Sequence, residues 1–129
     1  MDRYDDAGLL EERAAEDLSG AEDLLRCVRN HSTLIRFHLQ QYVEKMMKVE
    51  LSRHNVNYPW THDLVVLLSL FPQKKISDDY KTFADILSQF AVGTRYGEYL
   101  KCPWSDREIL EKAKEFVKHI ETLWEDPSN

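Results

Sequence analysis

Apolar residues recur every three or four positions along most of this chain, which is the spacing of one face of an α-helix. No segment alternates between apolar and polar residues, as a half-buried strand would. The 129 residues include only four glycines and four prolines, too few for a turn-rich all-β fold. The pattern therefore predicts an all-α protein whose length suits one domain with a real core.

Five helices follow from the periodic segments and from the residues that begin and end them. The first three are predicted over about 9–29, 32–54 and 62–71, the fourth runs from Ser77 to about Val92, and the last spans about 106–124. The predicted N-terminal caps are Asn30 or Ser32 for the second helix, Thr61 for the third, and a capping box of Ser105 and Glu108 for the last. We expect a single helical domain over 1–129, with loose ends at 1–8 and 125–129.

Several sequence features favour a cytoplasmic protein. With 43% hydrophobic and 31% charged residues, the chain resembles a soluble globular protein, and its apolar runs are too short to cross a membrane. The residues after Met1 are acidic, unlike a secretory leader. The two cysteines form no CxxC pair, so we expect reduced thiols and a cytoplasmic protein with no membrane partner.

Charge is distributed unevenly along the chain. Residues 1–23 hold nine acidic and two basic side chains, whereas residues 24–62 hold six basic and two acidic ones, with four of the five histidines. Such asymmetry is typical of an anion-binding surface. The alternative is that an acidic helix packs beside a basic one and the two exchange ion pairs.

A line of polar residues marks the second predicted helix. Gln41, Glu44 and Lys48 are three and then four residues apart, so they share one face of that helix. Two interpretations remain open. The line is either the solvated back of the helix or a polar surface that faces a ligand or partner.

Three segments carry a family resemblance. They are FHLQQYVEKMMK at 37–48, THDL at 61–64 and TRY at 94–96, and together they resemble the HEPN domain family, named for nucleotide binding in higher eukaryotes and prokaryotes. The resemblance extends from about Ala14 to Trp124. It implies an up-and-down four-helix bundle with an additional short helix, commonly dimeric. It also implies a nucleotide or RNA ligand, and a gene often paired with a minimal nucleotidyltransferase in a toxin–antitoxin-like system.

Catalytic members of the family are metal-independent ribonucleases that use an arginine followed closely by a histidine. The one literal match here, Arg26 and His31, lies at the junction of the first two predicted helices, the wrong end of the family pattern. Arg95, where the family would place the motif, has no histidine within reach. We therefore predict no catalytic residue and a resemblance to the non-catalytic branch. A ribonuclease toxin acting through Arg26 and His31 is the alternative.

Other chemistries find little support. No histidine is spaced from a second ligand as in known metal motifs, so we predict neither a metal nor a cofactor. The chain also lacks a nucleotidyltransferase motif of Gly-Ser followed by paired aspartates, so in such a system it would be the partner subunit. The aromatic residues Tyr58, Trp60 and Trp104 lie in predicted loops, where they either stack on a base or plug the bundle ends.

The candidate site for a nucleotide or phosphate combines residues of helix two with two later loops. Its members are Gln41, Glu44, Lys45, Lys48, His62, Arg95 and Tyr96. The lysines would supply charge for phosphate, and Gln41 would hydrogen-bond to a base or ribose. Alternatively, the same groups form a buried or dimer-interface network in which Glu44 pairs with Lys48 or Arg95. A ligand-free dimerising structural adaptor is the function that matches this alternative.

A homodimer is expected on two grounds, the family resemblance and a surplus of apolar residues on helices two and four. The residues counted are Phe37, Tyr42, Met46, Met47, Tyr80, Phe83 and Phe90. A domain this small has limited interior in which to bury them all.

Overall fold

A computed structural model describes residues 7–92 and 101–125. Its elements are α1 (Ala7–Leu25), α2 (Ser32–Arg53), α3 (Leu64–Leu68), α4 (Asp78–Ser88), a 3₁₀ turn (Gln89–Val92) that continues α4, and α5 (Asp106–Ile120). The described part of the chain contains no strand. The prediction of an all-α bundle with a short additional helix is confirmed, and that helix is α3.

The α2 helix lies at the centre of the fold. It packs along α1 and against α5, and it also contacts α3, α4 and the 3₁₀ turn. Because it has neighbours on nearly every side, its buried residues are not confined to one stripe. The apolar core around it includes Leu39, Val43, Met47, Phe83 and Phe116.

The first helix ends earlier than predicted. It stops at Leu25, and the amides of Arg26 and Cys27 bond to carbonyls three residues back, as in a turn. Val28, which lies in the predicted helix and fits its apolar spacing, is fully exposed. Without a packing surface for this last segment, helical spacing alone does not extend the helix.

Helix starts were predicted unevenly. The capping box of Ser105 and Glu108 is present, and Ser77 caps α4. The predicted Thr61 cap of α3 is wrong by two residues, because Asp63 occupies the cap and its carboxylate accepts from the Val65 amide. Thr61 instead accepts a hydrogen bond from the amide of Asp63. The later start leaves His62 outside α3, where it contacts α2.

The acidic α1 helix packs beside the basic α2 helix, and their charges pair. Asp17 is buried and accepts hydrogen bonds from both His38 and Lys45, while Glu11 pairs with Arg53 at 2.7 Å. Part of the uneven charge of the sequence is therefore paired between these two helices.

The apolar surplus behind the dimer argument is mostly inside one chain. Tyr42, Met47, Phe83 and Phe90 are buried in the core of the single chain. The large apolar residues that stay exposed in the described ranges are Leu9, Val28, Leu34, Trp60, Val65 and Val66. Across 7–92 and 101–125, no helix is long and apolar enough to cross a bilayer.

Candidate functional site

A buried polar cluster connects α2 to the segment that precedes α3. Its members are Gln40, Glu44, Lys48 and His62. The first three follow one another at intervals of four residues on α2, and they are 0%, 4% and 8% exposed. Glu44 and Lys48 of the predicted polar line are therefore not on the solvated back of the helix, and Gln41 is only partly buried.

Glu44 is the hub of this polar cluster. Its carboxylate accepts from Lys48 Nζ at 3.0 Å and from Gln40 Nε2 at 3.1 Å. His62 Nδ1 lies 3.0 and 3.1 Å from its two oxygens. A buried carboxylate requires such partners, because an isolated charge is very costly in the interior. Lys48 supplies the compensating charge.

His62 is held at two points and is otherwise open to solvent. Its carbonyl accepts from Gln40 Nε2 at 3.1 Å, and its Nδ1 bonds to Glu44. The side chain is nevertheless 64% exposed. When the ring is neutral and Nδ1 carries the proton, Nε2 is the acceptor that remains for a ligand.

Two aromatic rings accompany Lys48. Its ammonium lies 5.7 Å from the Tyr58 ring centre and 5.6 Å from that of Trp60, within the range of cation–π attraction. Tyr58 is buried, but Trp60 is 90% exposed. Trp104 packs against Phe83 instead. Of the three loop aromatics, Trp60 is the one that presents its ring to solvent.

The structure brings together Glu44, Lys48 and His62 of the predicted site, with Gln41 at the edge, where it donates to Gln40 at 2.7 Å. Lys45 is separate from this group, because it faces α1 and pairs with Asp17. Arg95 and Tyr96 lie outside the described residues.

Two contributors were missing from the predicted site, Gln40 and Trp60. Gln40 had a usable signal, since its spacing of four from Glu44 matches that of Glu44 from Lys48. No sequence feature indicated that Trp60 is exposed, because a tryptophan in a loop is compatible with either packing in the core or exposure to solvent.

The arginine and histidine of the ribonuclease pattern lie elsewhere. Arg26 is largely exposed and pairs with Asp23, three residues before it. His31 immediately precedes α2. Glu44 is thirteen residues further along that helix, about 20 Å away at the helical rise per residue. In the part of the chain that the structure describes, no group of three or more His, Cys, Asp or Glu residues is arranged to hold a metal.

Comparison with known families identifies the chain. A family model of the HEPN domain matches residues 7–126. This chain belongs to the HEPN family. HEPN domains are generally associated with nucleic acid. No curated protein and no solved structure matches the sequence. Two of the segments that carried the resemblance, at 37–48 and 61–64, supply the polar cluster of this HEPN domain.

Proposed function

We propose that this HEPN domain binds a nucleotide or nucleic acid and serves as the partner subunit of a minimal nucleotidyltransferase in a toxin–antitoxin-like system. The observation that supports the binding role is the exposed ring of Trp60, two residues before His62, whose Nδ1 bonds to the buried carboxylate of Glu44. An exposed indole ring offers a stacking surface for a base, and such stacking is worth about 1–3 kcal/mol per base.

Rigidity supports this proposal. The segment that carries Trp60 and His62 is fixed by the contacts of His62 with Glu44 and Gln40. A site whose groups are held in place before binding loses less conformational entropy when the ligand arrives. The polar cluster would thus hold the binding surface in place before the ligand arrives, and the ligand would contact only the solvent-exposed part of the cluster.

The partner role rests on the family resemblance and on the absence of a nucleotidyltransferase motif from the sequence. In that role the chain would work in the cytoplasm and contribute binding, while the partner supplies the transfer chemistry. We also propose a homodimer, and the exposed Val65 and Val66 offer apolar surface for a protein contact. Light scattering tests this state, with twice 15.3 kDa expected and a 15.3 kDa monomer contradicting it.

A ligand-free adaptor is the second candidate. It is favoured by one observation, that the carboxylate of Glu44 finds all its hydrogen bonds inside the chain. An internally satisfied network stabilises a fold without any ligand. Under this candidate Trp60 would contact protein rather than a base.

Binding of a labelled single-stranded RNA of about ten nucleotides, followed by fluorescence anisotropy, separates the two candidates. We expect Trp60→Ala to weaken binding about 5- to 100-fold and Trp60→Phe, which keeps a ring, to weaken it much less. Val28→Ala is the matched control, because it removes another exposed apolar side chain at a loop remote in sequence. Equal affinities for the Trp60→Ala and unsubstituted proteins would contradict the proposed site.

A further inference from the structure

The charges around Trp60 do not suit a polyphosphate. Among the described residues at the site, Glu44 and Asp63 are acidic, and Lys48 is the permanent cation. His62 adds positive charge only when protonated. The second lysine of the predicted site, Lys45, is committed to Asp17 on the side of α1. The described part of the site therefore has no surplus of positive charge.

Moving the Lys48 side chain out of its position would also cost free energy. Its side chain is 10% exposed, and its ammonium is 3.0 Å from Glu44. Reaching outward for a phosphate would remove the partner of a buried carboxylate, which is strongly destabilising. A phosphate contact in solvent would return less than that.

By contrast, Trp60 and His62 are both exposed to solvent, and both lie next to the ion pair of Lys48 and Glu44. The Trp60 ring lies 5.6 Å from Lys48 Nζ, and His62 bonds to the carboxylate that Lys48 contacts. The exposed ring and the exposed acceptor lie next to one ion pair, and they offer partners for the two features of a nucleobase, its π face and its N–H edge.

We propose that this site recognises an unpaired nucleobase, which stacks on Trp60 and donates a hydrogen bond to His62 Nε2, while the phosphates project into solvent. This inference rests on the proposed function and specifies its ligand class. A nucleoside, a nucleotide and an unpaired base of single-stranded nucleic acid should all bind here mainly through the base, because the described residues offer the phosphates little.

The test is a titration of the protein with adenosine, its monophosphate and its triphosphate, each at low and high salt, by calorimetry. We expect the three affinities to agree within about threefold and to change little with salt, because few ionic contacts form. Trp60→Ala and His62→Ala should both weaken adenosine binding. Lys45→Met should leave the affinity for the triphosphate unchanged.

The inference can be overturned in two distinguishable ways. A triphosphate that binds at least about tenfold tighter than adenosine, with a steep loss in salt, would show phosphate recognition and leave the proposed function standing. Loss of triphosphate binding in Lys45→Met would argue the same way. If neither the adenosine series nor single-stranded RNA binds, the proposed function falls together with the inference.

Discussion

Lys48 Nζ lies 3.0 Å from Glu44 Oε2, and the side chains that make this ion pair are 10% and 5% exposed. The two residues are one helical turn apart, a spacing that on a protein surface contributes only a few tenths of a kcal/mol. Here both are removed from solvent, and Glu44 also bonds to Gln40 and His62. The pair therefore belongs to the interior structure, and each member depends on the other.

Lys48→Ala should lower stability rather than act only on ligand binding. It leaves the Glu44 carboxylate buried without its cation, for which the expected loss is about 3–5 kcal/mol in the free energy of unfolding. Urea unfolding measures it. The double variant Glu44→Leu, Lys48→Met should recover much of the loss, because no uncompensated charge remains. A Lys48→Ala protein as stable as the unsubstituted one would refute the structural role of the pair.

Asp17→Asn should loosen the contact between α1 and α2. The Asp17 side chain is 11% exposed and accepts hydrogen bonds from two partners, His38 and Lys45. Removing its charge should cost about 1–3 kcal/mol. Glu16→Gln, at the exposed neighbouring position, is the control and should change stability by less than about 0.5 kcal/mol. Chemical denaturation measures the stability of both variants, and equal losses of stability would contradict the role of Asp17 between α1 and α2.

The carboxyl group of Glu50 predicts that the stability of the protein changes with pH in a defined direction. Burial raises the pKa of its carboxyl above the usual range, nearby Glu121 adds to the rise, and His54 and Arg53 act in the opposite direction. Since the pKa is higher in the folded state than in the unfolded chain, the stability from this group is greatest at acid pH. That stability is lost as the pH rises from the unfolded pKa through the folded one.

Glu50→Gln should therefore stabilise the protein at pH 7 and much less at pH 4, as measured by unfolding at both pH values. Glu108 provides a control of opposite sign, because hydrogen bonds from Ser105 lower the pKa of the Glu108 carboxyl. Its contribution is present above the unfolded pKa and falls away in acid. If Glu50→Gln instead destabilised the protein at pH 7, the ionised carboxylate would contribute to stability and the prediction would be wrong.

The purified protein is expected not to cleave RNA. Arg26 is engaged with Asp23 in an exposed pair, and neither Arg26 nor His31 takes part in the polar cluster. Incubation with a labelled RNA and gel analysis checks this, with His31→Ala run in parallel. Cleavage by the unsubstituted protein that disappears in His31→Ala would establish the ribonuclease alternative.

Much of the fold was predictable because it depends on local periodicity and caps. Ser77 and Ser105 begin their helices as the sequence indicates. The end of α1 was not predictable, since Val28 fits the helical pattern but meets no neighbour. Periodicity shows which residues share a face and not whether another element covers that face.

The site was predictable only in part, for the same reason. The spacing of Glu44 and Lys48 placed them on one face of α2, which the structure confirms. Lys45 follows Glu44 directly and therefore points to a different neighbour, the acidic α1, but its partner Asp17 is distant in sequence. Which lysine is paired with which carboxylate depends on how the helices pack, and the sequence does not state that.

The most direct measurement of the central claim is the NMR signal of the tryptophan indole N–H groups during titration with single-stranded RNA. The three tryptophans report on different places, because Trp124 stacks on His54 and Trp104 packs against Phe83. Trp60→Phe assigns the relevant signal. We predict that the Trp60 signal shifts while those of Trp104 and Trp124 stay in place. A Trp60 signal that does not move at saturating RNA would contradict the account.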